Sequence, residues 1–310
     1  MDIRGLRYFN TIVDYGSFSA ASRRLAIAQP ALSRQIRLLE EELGTTLLVR
    51  NPKGVAATEA GERLYRHVQA LLHQFGQTSE VVQQEQGDVS GEVVIGLPTT
   101  LCAILARPLL RAALQRYPKV RIRLVESLGS VLHEMLEGGR LDLALLYNVD
   151  ASQPLAYDEL MVEDLCLIGV PGPELEGVQS LTFAQLAQFP LVLSSTAQSL
   201  RRLLETMAVE AGIRLNVRLE ADSIHLTRLI AEEGLAFTVA SHGVFHEQLA
   251  GGTLRAFEII DPCIRRTVSI VRTGHSLSRA GLHMQRLLGE IARDLVATGQ
   301  WRATLLDKPE

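Results

Sequence analysis

The sequence predicts an α/β protein with an N-terminal all-α winged helix-turn-helix, a long linker helix, and a two-lobed C-terminal domain. Three observations carry that expectation. An amphipathic run, SFSAASRRLAIAQPALSRQIRLLEEELG from Ser17 to Gly44, is divided by Gln29-Pro30. A heptad-like spacing of apolar residues follows Thr58. From Glu92 onward, short apolar runs alternate with helical ones, the texture of a parallel α/β sheet.

The first helix is IRGLRYFNTIVDYG, which places Leu6, Phe9, Ile12 and Val13 on one face. In the divided run, a proline deep inside one helix would cost about 3 kcal/mol, whereas at a first helical position it costs almost nothing. Two helices are therefore expected. Ala21 and Leu25 line the first, capped by Ser17 or Ser19; Leu32, Ile36, Leu39 and Leu43 line the second, and Ile27 plugs the turn. The start of the second helix then offers Gln29, Pro30, Ala31, Ser33, Arg34 and Arg37, with the acids Glu40 to Glu42 at its far end. A polar, cationic N-terminal end above an apolar inner face suits insertion into a DNA major groove, although an ordinary surface hairpin has the same stripe.

LLVRNPKGVAAT reads as two short strands around Asn51-Pro52-Lys53-Gly54. Arg50 and Lys53 make that tip a wing able to reach DNA backbone or minor groove. Thr58 caps a long helix in which Leu64, Val68, Leu71, Phe75 and Val82 step by 4, 3, 4 and 7, with Thr78 at the skipped position. A lone helix cannot bury such a seam, so it predicts a partner helix.

At 310 residues and 47% hydrophobic composition, the chain has room for two or three domains with real cores. The net charge of −4 argues against a general coat for nucleic acid or membrane. Residues 1–58, however, hold eight Lys/Arg against five Asp/Glu, a local +3 that leaves −7 for the rest. That asymmetry predicts an anion-binding module on an acidic body. The start lacks a leader pattern, and the longest uncharged run, Gly177 to Leu200, is broken by Gln, Ser, Thr and Pro. Cys102, Cys166 and Cys263 are scattered. A reduced, cytoplasmic protein with structural thiols is expected.

Catalytic signatures are poor. HEMLE at His133 lacks the second histidine of a zinc-protease helix, and His242 and His246 have i, i+4 spacing without a third ligand. There is no Gly-x-Ser-x-Gly and no Gly-rich phosphate loop, and Gly138-Gly139 and Gly251-Gly252 read as turns. No enzyme, cofactor or metal is expected.

The segment Leu6 to Tyr65 resembles the winged helix-turn-helix of the LysR-type transcriptional regulators, with every element in order. SFSAAS, AQPALSRQIRLLEEELG, LLVR and TEAG are the most specific stretches. The resemblance implies that the long helix is the family's dimerising linker. It implies as partners double-stranded DNA, a second copy of the chain as homodimer or homotetramer, a small-molecule effector and RNA polymerase, and no membrane. The division expected is a DNA-binding domain over 1–58, a linker helix and hinge over 59–91 and an effector domain over 92–310.

Within the last, EVVIGL, VRIRLVE and LDLALLY build one lobe, while DLCLIGV, LVLSS, VRLEAD and LAFTVA build the other. TVSIVR and the helix over Leu277 to Thr298 return to the first. Lobe I is expected over 92–161 and 267–300 and lobe II over 162–266, with crossings near Leu160–Val162 and Pro262–Thr267. The resemblance implies that this is the family's periplasmic-binding-protein-like effector domain. Open α/β lobes bind ligands where strand ends meet helix N-termini. Here those places are Thr99-Thr100, Ser127-Leu128-Gly129-Ser130, Tyr147-Asn148, Ser194-Ser195-Thr196 and Asp222-Ser223, although helix capping accounts for the same hydroxyls. By position in the family, Thr99, Thr100 and Ser127 would face Ser195, Thr196 and Ser223 across the cleft. No Arg or Lys stands at these loops, so an anionic effector would rely on amides and hydroxyls.

The sequence departs from the family at GLAFTVASHG, where Ala236 and Ala240-Ser241 replace a Gly-x-Gly and a Leu-Pro. IVDYGS, IAQPALS, GSVLHEMLEGGRLDLALLY and QWRATL are similar to the nitrogen assimilation control subgroup, which implies a cleft with weak or no response to a metabolite. The rival readings are a small-solute-binding or carrier protein with an accessory helical domain, and an enzyme built on the same lobes.

Overall fold

The computed structural model describes residues 1–52, 54–82, 88–150, 155–272 and 277–306, without the side chains of 73, 74, 76–82 and 174. It divides into two units, Met1–Gly87 with Glu137–Arg140, and Asp88–Leu136 with Leu141–Glu310. Among the described residues, no helix is long and apolar enough to cross a membrane.

In the first unit, helix α1 (Ile3–Tyr15) starts where the Asp2 carboxylate accepts the Gly5 amide at 2.7 Å and stops at Gly16, φ 58°. Helix α2 (Phe18–Leu25) has Ser17 as its N-cap, and helix α3 (Gln29–Leu43) carries Pro30 in its first turn. The apolar stripes meet in one core of Leu6, Phe9, Ile12, Ala21, Leu32, Ile36, Leu39, Leu47 and Val68. Val13 and Leu25 pack against it half-buried, and two further expected members do not join it. Leu43, the last residue of α3, is exposed, and that end of the core is closed by Leu47, whose amide donates to the Glu40 carboxylate at 2.7 Å. Ile27 is only half-buried in the turn.

Strands β1 (Leu48–Asn51) and β2 (Gly54–Ala57) pair antiparallel as the wing. The Val55 amide donates to the Gly16 carbonyl at 2.8 Å, so the wing docks on the end of α1. A Cβ on Gly54, φ 133°, would lie 2.5 Å from that carbonyl oxygen, so only glycine permits the approach. Helix α4 (Glu59–Val82) begins with the Gly61 amide donating to Thr58 Oγ1 at 3.0 Å. Its seam is divided, which corrects the expected partner stripe: Val68 is fully buried in the unit's own core and Leu64 packs beside it. Leu71 and Phe75 are half-exposed. The Val82 side chain lies outside the described residues.

The second unit runs through β3 (Ser90–Leu97), α5 (Thr99–Arg116), β4 (Lys119–Glu126), α6 (Gly129–Glu137) and β5 (Leu143–Tyr147). It continues with β6 (Ala156–Gly169), β7 (Ser180–Thr182), β8 (Leu191–Leu193), α7 (Ser199–Glu210), β9 (Val217–Glu220), α8 (Ile224–Glu232) and β10 (Thr238–Ser241). A 3-10 turn (His242–Phe245), α9 (His246–Ala250), β11 (Arg255–Ile260), β12 (Arg265–Arg272), α10 (Arg279–Ala297) and β13 (Ala303–Leu305) complete it. Nine strands form one sheet of order β4-β3-β5-β12-β6-β11-β7, with β10 and β13 also on β6.

That sheet is mixed rather than parallel. β3 lies parallel to β4 and β5, but β12, β13, β10 and β11 all run antiparallel to β6. The reason is β6 itself, a 14-residue strand that serves both lobes. Its first part, up to Asp164, pairs with β12 and β13; from Leu165 it pairs with β10 and β11. The crossing expected near Leu160–Val162 lies within this strand, whose change of partners falls at Asp164–Leu165. One core gathers around Leu101, Leu105, Met284 and Leu288 and also takes in Cys166, Ile168, Val244 and Phe245; a second gathers around Phe183, Leu191, Leu204 and Phe257.

Burial also sets the thiol chemistry. Cys102 and Cys166 are pushed up to about 11 by desolvation, while Cys263 is exposed. Because the thiolate is the reacting form, one thiol per chain should react quickly with a disulfide reagent near pH 8, and all three after denaturation. A second fast thiol in the native protein contradicts the packing around Cys102 and Cys166.

Candidate functional site

Two surfaces collect the chemistry. In the first unit, burial of Leu32, Ile36 and Leu39 fixes the roll of α3 and leaves Gln29, Pro30, Ala31, Arg34 and Arg37 exposed, with Ser33 half-buried. Ser19 Oγ donates to Gln29 Oε1 at 3.0 Å, tying α2 to the start of α3 and leaving the Gln29 amide hydrogens free to point outward. Arg50, exposed on β1, holds its guanidinium 5.7 Å from the centre of the Phe18 ring. Glu40 Oε1 accepts the amides of Leu47 and Leu48, so this acid is occupied in anchoring the wing. Lys53 lies outside the described residues.

The second surface is a cleft of about 500 Å³ between the lobes. Thr99, Thr100, Leu128, Tyr147 and Asn148 line it, as expected of strand ends and helix starts; Ser127, Ser195, Thr196 and Ser223 do not. The main chain of these four is held locally. The Ser195 amide donates to Asp222, the Thr196 carbonyl accepts from Arg202, and the Ser223 carbonyl accepts from Thr227 Oγ1. The Ser127 amide donates to the Leu97 carbonyl at 3.3 Å. Asn148 accepts the Thr267 amide at 2.9 Å. At the departure from the family, Ala240 lines the cleft and Ser241 is buried behind it.

Arginines do reach this cleft, contrary to the expectation of amides and hydroxyls alone. Arg266 comes from β12, while Arg201 and Arg202 come from α7. Arg201 is engaged by Glu205, Glu220 and the Ser194 carbonyl. Arg266 is 4% exposed and pairs with the fully buried Glu163 opposite it on β6. The other Glu163 oxygen accepts the indole N–H of buried Trp301 at 2.8 Å. The guanidinium lies 3.7 Å from the Tyr147 ring centre, and the Tyr147 hydroxyl shares a 2.8 Å hydrogen bond with Thr100 Oγ1. Desolvation pushes the Tyr147 phenol well above its usual range, so it stays neutral. Burial works against the charge on Arg266, but the paired Glu163 carboxylate favours it, and the guanidinium's pKa is raised.

A chain of contacts thus runs from Trp301 through Glu163 to Arg266, Tyr147 and Thr100, the last three of which line the cleft. Sequence reading missed Glu163, Arg266, Trp301 and Arg201 because none stands at the C-terminal end of a strand. The signal was a pair of like-charged dipeptides, Glu163-Asp164 and Arg265-Arg266, in two strand-like runs. Among the described residues no group of three or more His, Cys, Asp or Glu is arranged to hold a metal, and the His242 and His246 rings stand 6.3 Å apart.

Comparison with known proteins covers both units. The family model described as "Bacterial regulatory helix-turn-helix protein, lysR family" matches residues 3–62, and "LysR substrate binding domain" matches residues 86–293. The HTH-type transcriptional regulator BbuR of Bordetella bronchiseptica is 31% identical over 305 residues, 97% of this chain and 93% of that protein. The nitrogen assimilation regulatory protein nac of Escherichia coli is 39% identical over 205 residues, 65% of each. A full-length single-site variant of OxyR from Pseudomonas aeruginosa superposes with a TM-score of 0.76 at 20% identity, covering 100% of this chain and 99% of that one. Full-length CbnR complexed with its target DNA gives 0.68 at 20% identity, covering 95% and 99%.

The buried pair makes its own forecast. Removing one partner of such a pair typically costs about 3–5 kcal/mol, whereas removing both charges is often neutral. Glu163→Gln should destabilise the protein to denaturant by that order. Adding Arg266→Met should recover most of the loss, because the carboxamide oxygen that replaces the carboxylate still accepts from Trp301. Equal losses in the single and double variants would show that the charge pairing is not what the fold depends on.

Proposed function

This chain belongs to the LysR family and is a LysR-type transcriptional regulator; from that premise we propose how its residues divide the work. Helix α3 enters the major groove by its first turns. Arg34 and Arg37 read base edges or hold phosphates, Gln29, Pro30, Ala31 and Ser33 make the close approach, and the wing carries Arg50 and Lys53 to the backbone. The observation that carries this reading is the roll of α3. Its buried Leu32, Ile36 and Leu39 turn the cationic residues outward. Leu71 and Phe75, the exposed part of the α4 seam, pack against a second copy. The interlobe cleft takes a small-molecule effector against Thr99, Thr100, Leu128, Tyr147 and Asn148, and lobe closure shifts the population of DNA-bound states. The setting is the reduced cytoplasm, with RNA polymerase as protein partner and no chemistry performed on the effector.

Arg makes bidentate contacts to guanine worth about 1–3 kcal/mol of discrimination. In a gel shift, Arg34→Ala should weaken binding and relax sequence preference, whereas Lys53→Ala should lower affinity evenly across sequences and flatten the salt dependence. Unaltered preference in a folded Arg34→Ala protein takes that residue out of base reading. For assembly, Leu71→Asp should shift sedimentation toward monomer while leaving the helical signal intact, since this side chain is half-exposed in the unit. The same oligomer at the same concentration would exclude the α4 seam as the interface.

A further inference from the structure

Helix α3 turns two different edges outward. Burial of Leu32, Ile36 and Leu39 fixes its inner face, and at about 100° per residue the outer face carries Arg34 and Arg37 along one edge and Ala31 and Leu38 along the other. Leu38 is a large apolar side chain on that face, 46% exposed, and it belongs neither to the core of this unit nor to the residues packed against that core. Ala31, exposed two turns earlier, continues the same edge. One turn beyond Leu38 the outer face becomes acidic at the exposed Glu41, which DNA phosphates repel. Leu38 is thus the last apolar contact that α3 offers before its charge reverses.

In a major groove one base presents an apolar group. Guanine, adenine and cytosine show hydrogen-bonding atoms there, whereas thymine also shows its 5-methyl. A cationic edge and an apolar edge on one helix therefore suit different bases, the first guanine or phosphate and the second thymine. We propose that Leu38, with Ala31, reads thymine by packing on its 5-methyl group. The inference rests on the groove reading of α3 and adds a specificity contact that the arginines do not supply. Arg34 stands one turn before Leu38, about 6 Å along the axis, so this thymine lies within about two base-pair steps of the base that Arg34 contacts. Ala31 and Leu38 are about 10.5 Å apart along the axis, which matches about three steps of the duplex.

The test uses the full chain and a binding site selected from randomised duplex DNA. Each thymine of that site is replaced in turn by deoxyuridine, which differs only in lacking the 5-methyl, and affinities are read by gel shift at fixed salt. At one or more thymines uracil should weaken binding about three- to fivefold, and Leu38→Ala should bind the thymine and uracil sites equally. Because Leu38 lies on the helix surface and alanine is a strong helix former, this variant is expected to fold. A uracil penalty that persists undiminished in Leu38→Ala, or a selected site in which no thymine is sensitive to uracil, overturns the proposal and leaves the groove reading to stand on Arg34. A smaller species in sedimentation of Leu38→Ala also overturns it, because the leucine then packs on a second copy. Should no common site emerge from the selection, the groove reading itself falls and the Leu38 contact with it.

Discussion

The second unit depends on one buried ion pair at the point where two strands pass from lobe to lobe. Glu163 on β6 and Arg266 on β12 are cross-strand partners, fully enclosed, and the remaining carboxylate oxygen is satisfied by Trp301. Taking both charges out of water is expensive and is offset only when geometry and extra hydrogen bonds are good. That requirement fixes the register of the crossing strands, brings β13 alongside β6, and sets Arg266 against the Tyr147 ring at the cleft floor. Thr100, at the start of α5, is then joined to the crossing strands through the Tyr147 hydroxyl. Cleft wall and hinge are parts of one polar chain, so a ligand that disturbs Thr100 or Tyr147 acts on the contact that sets the relation of the lobes.

The first unit is governed by an apolar constraint instead. Three helices, the wing and the start of α4 share a single small core, in which Phe9, Ile12, Leu32 and Val68 are completely enclosed. A unit this small has little surplus stability, so its own core has first claim on the apolar residues at the base of α4. Val68 is drawn inward for that reason, and the α4 stripe is exposed at Leu71. The same core sets the roll of α3 and thereby decides which cations face outward.

Most of the element order was legible in the residues. Pro30 and the apolar spacing separate α2 from α3, the 51–54 turn marks the wing, and apolar runs locate the longer strands of both lobes. Periodicity carries such information because burial acts on each element's own face. It carries less about short or shared strands: β7 and β13 have only three residues each to signal with, and nothing local shows that β6 changes partners from β12 and β13 to β10 and β11 along its length.

What the sequence determined by itself is therefore local: the helix-turn-helix, the outward cationic end of α3, the alternation of strands and helices, and the strand ends at Thr99-Thr100 and Tyr147-Asn148 that do line the cleft. What only the tertiary structure decided is pairing across distance. Glu163-Asp164 and Arg265-Arg266 could face each other with either residue inside, because alternation along a strand is symmetric until a core covers one face. Packing of Trp301 and Tyr147 chose Glu163 and Arg266 for the interior and left Asp164 and Arg265 as an exposed pair at 2.9 Å. The arginine beneath the cleft follows from that choice. Its partner stands 103 residues away, beyond the reach of any local pattern.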